Sequence, residues 1–202
     1  MAAEEEKNRK PKEKKLSWQQ NAVLYLHDLV YLMVIILLTF LLVFRIIVVS
    51  GDSMKMTLLD GDYLLLLSNT FYHEPKHGDI VVISKKTYDD GAPIVKRVIA
   101  TEGQTVDIDF ANGIVYVDGL ALEETYINSL TTVDEGTAFP LTVKEGCLFV
   151  MGDNRGVSKD SRDPEIGQID KREVLGKAIF LMLPGTDHGY AARDFSRIGA
   201  VQ

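Results

Sequence analysis

Ser53 stands in the run Ser50-Gly51-Asp52-Ser53-Met54-Lys55-Met56-Thr57-Leu58, directly after a long apolar stretch. A serine hydroxyl attacks an amide only when a neighbouring base takes its proton. The Gly-x-Ser-x-Gly elbow of α/β-hydrolases is absent, because Lys55 occupies its last position. The bases on offer include 4 histidines, His27, His73, His77 and His188. Of these, His77 with Asp79 could complete a Ser-His-Asp arrangement. Lysine is the other option. In Pro93-Ile94-Val95-Lys96-Arg97-Val98-Ile99, strand alternation puts Lys96 on the face of Ile94 and Val98. An ammonium among apolar neighbours is desolvated and gives up its proton more easily. Arg97 has equally apolar neighbours, Val95 and Ile99, on the opposite face, so periodicity alone does not single out Lys96. A guanidinium, however, does not deprotonate in proteins.

Other chemistry is weaker. His73-Glu74-Pro75-Lys76-His77 matches the letters of a zinc-protease motif, which requires a continuous helix to bring the two histidines one turn apart. Pro75 and Gly78, followed by the extended run Ile80-Val81-Val82-Ile83, argue against that helix. The single cysteine, Cys147, excludes an internal disulfide and a multi-thiolate zinc site. It reads as a small apolar residue at a strand start. With 22 Lys plus Arg against 29 Asp plus Glu, the 202-residue chain carries a net charge of −7 and offers no basic footprint for nucleic acid.

The elements that must position Ser53 and a base divide the chain in two. No glycine occurs before Gly51, and Leu29–Val49 reads LVYLMVIILLTFLLVFRIIVV, where only Thr39 and Arg45 interrupt the apolar series. A helix of that length spans ~31 Å, matching a bilayer core of roughly 30 Å. Arg45, near its end, could reach the headgroups. The basic residues Arg9, Lys10, Lys12, Lys14 and Lys15 precede the run and only Lys55 follows closely, which places the N-terminus in the cytoplasm. The run is long for a signal-peptide core and no small-x-small site follows it, so a retained anchor is expected. The expected organisation is a charged cytoplasmic tail at 1–28, a transmembrane signal anchor at 29–49 and an extracytoplasmic domain at 50–202.

Within that domain, short apolar runs separated by turn residues predict strands at Tyr63–Leu67, Ile80–Ile83, Ile94–Ile99, Val106–Phe110, Ile114–Val117, Leu148–Met151 and Ile179–Leu183. Asn112-Gly113 and Asp118-Gly119 are hairpin signals. Asp170, with Glu173 three residues on, caps a short helix. The fold class is therefore mainly β, with one N-terminal transmembrane helix, hairpins and one or two short helices.

Taken together, these pieces resemble the bacterial type I signal peptidases, or leader peptidases, which use a Ser-Lys dyad. The resemblance rests on Ser-Gly-Asp-Ser-Met-Lys-Met-Thr-Leu around Ser53, Gly61-Asp62-Tyr63-Leu64-Leu65-Leu66, Lys96-Arg97-Val98-Ile99-Ala100, and Gly152-Asp153-Asn154-Arg155-Gly156-Val157-Ser158-Lys159-Asp160-Ser161-Arg162. It extends from the apolar run to about Leu183. It implies Ser53 as nucleophile and Lys96 as general base, with Ser158 hydrogen-bonded to the Lys96 amine and Asp160 with Arg162 bracing the site as an ion pair. It also implies a signal-peptidase-like β fold, membrane-bound preprotein substrates with N-terminal signal peptides, small side chains at the first and third positions before the cut, and no metal or cofactor. Departures are Met56 where the family usually has proline, Gly51 where some members place a side-chain oxyanion donor, and a longer segment Asp163–Ile166. With Gly51 there, the backbone N–H of Ser53 is the expected oxyanion donor. The alternatives are a narrow-substrate Ser-Lys peptidase and a non-catalytic anchored β-domain that binds protein partners.

Overall fold

The apolar run forms a helix, but with other bounds than its composition suggests. The structure is a computed structural model and describes residues 17–201; the charged stretch Glu4–Lys15 lies outside the described residues. Helix α1 runs Trp18–Val43 and none of its residues is buried. Its 26 residues are the one described helix long and apolar enough to cross a membrane. Thr39, the polar residue inside it, donates its hydroxyl to the Ile35 carbonyl at 2.8 Å, which satisfies the group without water.

The helix therefore begins eleven residues earlier than Leu29 and stops six residues short of Val49. Phe44–Val48 is a strand, β1, paired antiparallel with β2 (Tyr63–Ser68). The physical reason lies in Ile46-Ile47-Val48-Val49, a β-branched series that fits a sheet better than a helix once a partner edge is available. Arg45 consequently sits on an exposed strand position opposite Leu66, two residues past the end of α1.

The chain splits into two compact units at Leu41/Leu42. In the larger unit, β3 (Ile80–Ile83), β4 (Ile94–Thr101), β9 (Cys147–Met151), β10 (Ile169–Asp170) and β11 (Val174–Leu183) join β1 and β2 in an antiparallel sheet ordered β1-β2-β11-β3-β4-β9-β10, with β12 (Gly199–Ala200) beside β11. A four-stranded sheet holds β5 (Thr105–Asp109), β6 (Ile114–Val117), β7 (Leu120–Ala121) and β8 (Leu141–Thr142). The expected strands all form.

Period-two alternation distributes these strands among three cores. Ile80 and Val82 of β3 enter one with Leu64, Leu66 and Met54, whereas Val81 and Ile83 enter another with Val98 and Val150. Phe149 and Met151 of β9 join Val106, Val115 and Val117 of the smaller sheet in the third. Asp118 and Gly119, both at positive φ, make the two-residue turn between β6 and β7. Asp170 and Glu173 form a capping box around a short 3₁₀ turn, Lys171–Glu173.

Candidate active site

The loop between β1 and β2 carries Ser53. It is closed at its base by backbone bonds, Val49 N–H to the Asp62 carbonyl at 2.8 Å and Gly61 N–H to the Val49 carbonyl at 2.9 Å. A helical turn, Leu58 N–H to Met54 carbonyl at 2.8 Å, stiffens its middle, and Met54 and Leu58 are buried beneath it. Ser53 is left half-buried at the start of that turn. Met56 has φ +91°, which proline, held near −65°, could not adopt. The departure at this position therefore accompanies a turn that proline would not fit.

On β4, register puts Lys96 opposite Val81 and Arg97 opposite Ile80. The two neighbours separate as their chemistry requires. Lys96 is 3% exposed, and its amine lies 2.8 Å from Ser53 Oγ. Burial lowers its pKa to about 8, and the negative charges of Asp160 and Glu135 oppose that shift. Arg97 turns to Asp153, with Nε and one terminal nitrogen bonded to the two carboxylate oxygens at 2.8 and 2.7 Å, and stacks 4.0 Å from the centre of the Tyr126 ring. Asp153 also accepts the Thr57 hydroxyl at 2.5 Å, so one buried carboxylate links the base-bearing strand to the Ser53 loop.

The stretch Gly152–Arg162 closes the site from behind. Asn154 donates its backbone N–H to the Ser53 carbonyl and its side-chain amide to the Asp52 carbonyl, each at 3.0 Å. Gly152 passes so close to Ser53 O and Ser158 Oγ that a β-carbon there would overlap both. Asp160 and Arg162 form a fully buried, two-point ion pair at 2.9 Å for each contact, and Asp160 also accepts the Gly152 N–H at 2.9 Å. Arg162 reaches the carbonyls of Arg155 and Ser158 at 3.0 and 3.2 Å, so its charge is spread over the loop it holds.

Ser158 departs from the expected contact. Its hydroxyl donates to the Lys159 carbonyl at 3.4 Å, while the amine of Lys96 bonds to Ser53. The peptide at Lys159 offers a carbonyl within reach of the Ser158 hydroxyl, which needs only to rotate to use it. The histidine alternative does not form either: His77 Nδ1 contacts the Ile99 carbonyl at 2.8 Å, and Asp79 binds Lys177 at 2.5 Å and Tyr72 at 2.6 Å. Residues 73–77 are not helical, as Pro75 requires. Cys147 begins β9.

Glu135 went unnoticed in the sequence. One of its oxygens contacts Arg162 at 3.1 Å and the other is buried without a hydrogen-bond partner among the described residues. Burial, with Asp160 nearby, raises its pKa to about 7. No local pattern around Asp134-Glu135-Gly136 signals this, because the partner lies in a separate loop.

Ser53 and Lys96 thus form a hydroxyl–amine pair in which the amine is dry and the hydroxyl is partly open to solvent. The Gly51 N–H is taken by Asp60 Oδ1 at 2.9 Å, whereas the Ser53 N–H has no acceptor among the described residues. Comparison with known proteins gives the family. Residues 22–183 match the family described as signal peptidase, peptidase S26. A probable signal peptidase I-1 of Synechocystis sp. is 37% identical over 148 residues, covering 70% of this chain and 72% of that protein. Signal peptidase I T of Bacillus subtilis is 35% identical over 144 residues, covering 67% and 72%. A crystal structure of a signal peptidase I from Enterococcus faecalis is 29% identical, covers 52% of this chain and 96% of its own, and superposes with a TM-score of 0.42. On the extent of the family match and the identity of these relatives, the chain belongs to the signal peptidase family, peptidase S26.

Proposed function

We propose that the chain is a membrane-anchored endopeptidase that removes N-terminal signal peptides from exported preproteins with Ser53 as nucleophile and Lys96 as general base. The observation that carries this reading is the 2.8 Å contact between a buried amine and a half-buried hydroxyl. Neutral Lys96 Nζ takes the proton as Ser53 Oγ bonds to the scissile carbonyl carbon, and the Ser53 N–H donates to the oxygen as its charge grows. The protonated amine then delivers that proton to the departing amine nitrogen, and the C–N bond breaks. Water then attacks the acyl-serine as it gives a proton to Lys96, the ester C–Oγ bond breaks, and the Lys96 ammonium returns that proton to Ser53 Oγ, which frees the product acid and restores both groups. Asp160 and Arg162 hold the loop behind the dyad, and Ser158 packs against Gly152 within it.

Helix α1 serves as the anchor, with the residues before it in the cytoplasm and the β domain that follows it outside. Support comes from the cluster Arg9–Lys15 before the helix and from the length of α1, ~39 Å at 1.5 Å per residue. Anchoring enzyme and substrate in one bilayer raises their effective concentration. The test is incubation of the purified protein with a labelled preprotein beside its Ser53→Ala variant. Wild type is expected to release the signal peptide, and Ser53→Ala to leave it attached. Equal cleavage by both would overturn the reading.

A further inference from the structure

Beyond Leu183, where the family match ends, the chain returns to the Ser53 loop. Gly185 packs backbone against backbone on it: a β-carbon there would overlap the Asp60 carbonyl. The Gly185 N–H donates to Asp62 Oδ1 at 2.6 Å. Arg197, from a 3₁₀ turn at Phe195–Arg197, then binds the same carboxylate at two points, 3.0 Å to Oδ1 and 2.7 Å to Oδ2. Asp62 is fully buried and also accepts the Leu59 N–H at 2.8 Å. A terminal nitrogen of Arg197 further donates to the Thr57 carbonyl at 3.3 Å.

Thr57 is therefore gripped on both sides. Its hydroxyl goes to Asp153, the partner of Arg97 next to the proposed base, and its carbonyl goes to Arg197. Nearer Ser53, Asp187 binds Lys55 at 3.0 Å and His188 binds Asp52 at 3.1 Å. These outer pairs are partly exposed and contribute little by themselves. The Arg197–Asp62 pair differs, because its carboxylate is buried and pairs at two points.

We infer that Pro184–Val201 clamps the nucleophile loop and that Arg197 is its positioning residue, fixing Thr57 and Asp62 so that Ser53 Oγ is held against Lys96. This rests on the Ser53–Lys96 reading above. Arg197 touches neither Ser53 nor Lys96; it acts through the loop. A displacement near 1 Å at a reacting group can cost on the order of a hundredfold in rate, so a loop held less firmly should lose turnover before substrate affinity.

The test uses the full chain in detergent micelles, with kcat, KM and Tm measured for Arg197→Ala, Arg197→Lys and Ser53→Ala. Arg197→Ala is expected to lower kcat about tenfold or more at assay temperatures below its Tm, with KM within about twofold. Arg197→Lys, which keeps the charge but not the two-point geometry, should recover part of kcat. Arg197 lines an open cavity of about 330 Å³ with Leu58, Leu181 and Val201. Methylguanidinium added to Arg197→Ala is therefore expected to enter the vacated space and raise kcat at unchanged Tm, whereas a purely structural role would recover kcat only together with Tm. Unchanged kcat in folded Arg197→Ala, an effect on KM alone, or absence of guanidinium rescue would overturn the inference. If Arg197→Ala does not fold, Arg197→Lys decides it: kcat equal to wild type counts against the clamp and a severalfold loss at unchanged Tm supports it. Cleavage by Ser53→Ala would instead refute the reading of the dyad, whatever Arg197 does.

Discussion

Replacing Lys96 with methionine is expected to lower kcat/KM by about a thousandfold, within the range that a positioned general base contributes. Methionine keeps the unbranched shape in a buried slot but cannot accept a proton, so the fold should persist while Ser53 loses its base. Arg97, one residue away, cannot substitute: it is held at two points by Asp153 and does not deprotonate. Lys96→Arg should be comparably inactive, because its guanidinium stays charged. Both variants are to be compared with wild type by steady-state cleavage of a signal-peptide substrate, with the melting temperature measured in parallel. Activity near that of wild type in either folded variant would remove Lys96 from the mechanism.

Arg162→Met should produce the largest loss of stability. Removing the arginine leaves the Asp160 carboxylate buried with no cation bonded to it, and breaking a buried pair in this way costs about 3–5 kcal/mol. For a domain of this size that corresponds to a Tm lower by roughly 6–20 °C, readable by circular dichroism. Asp160→Asn combined with Arg162→Met should regain much of the loss, since the fully buried Asp160 charge is then removed with its partner. The single variant also reaches the chemistry. The positive charge of Arg162 lowers the Lys96 pKa, and Asp160 and Glu135 raise it. Without Arg162 the carboxylates act unopposed, Lys96 holds its proton more tightly, and the acid limb of activity should move to higher pH.

The elements of the fold that depend on short-range pattern were legible from sequence. Ile80–Ile83 and Ile114–Val117 stand where their apolar runs end, and the capping box at Asp170 forms as its spacing implies. β1 was concealed because Phe44–Val48 continues the apolar series of α1, and hydropathy alone does not distinguish a chain leaving a helix from one continuing it. β12 depends on its pairing with Phe180 and Leu181, far back in the chain. The same limit governed the site. Alternation placed Lys96 and Arg97 on opposite faces without choosing between them; Asp153 separates them by drawing off the arginine. The Ser158 hydroxyl, expected at Lys96, bonds instead to the adjacent carbonyl of Lys159. Glu135 and Arg197 reach their partners only through the folded chain, so nothing in their neighbours marks them.

The most direct test of the account is the pH dependence of kcat/KM for signal-peptide cleavage. A base that works only when neutral makes activity rise with pH as its proton is lost, so the curve should climb through an apparent pKa of about 8. An acid limb near 10.4, the ordinary lysine value, or one that remains unmoved when Arg162 is replaced, would contradict the assignment of a desolvated Lys96 as the group that activates Ser53.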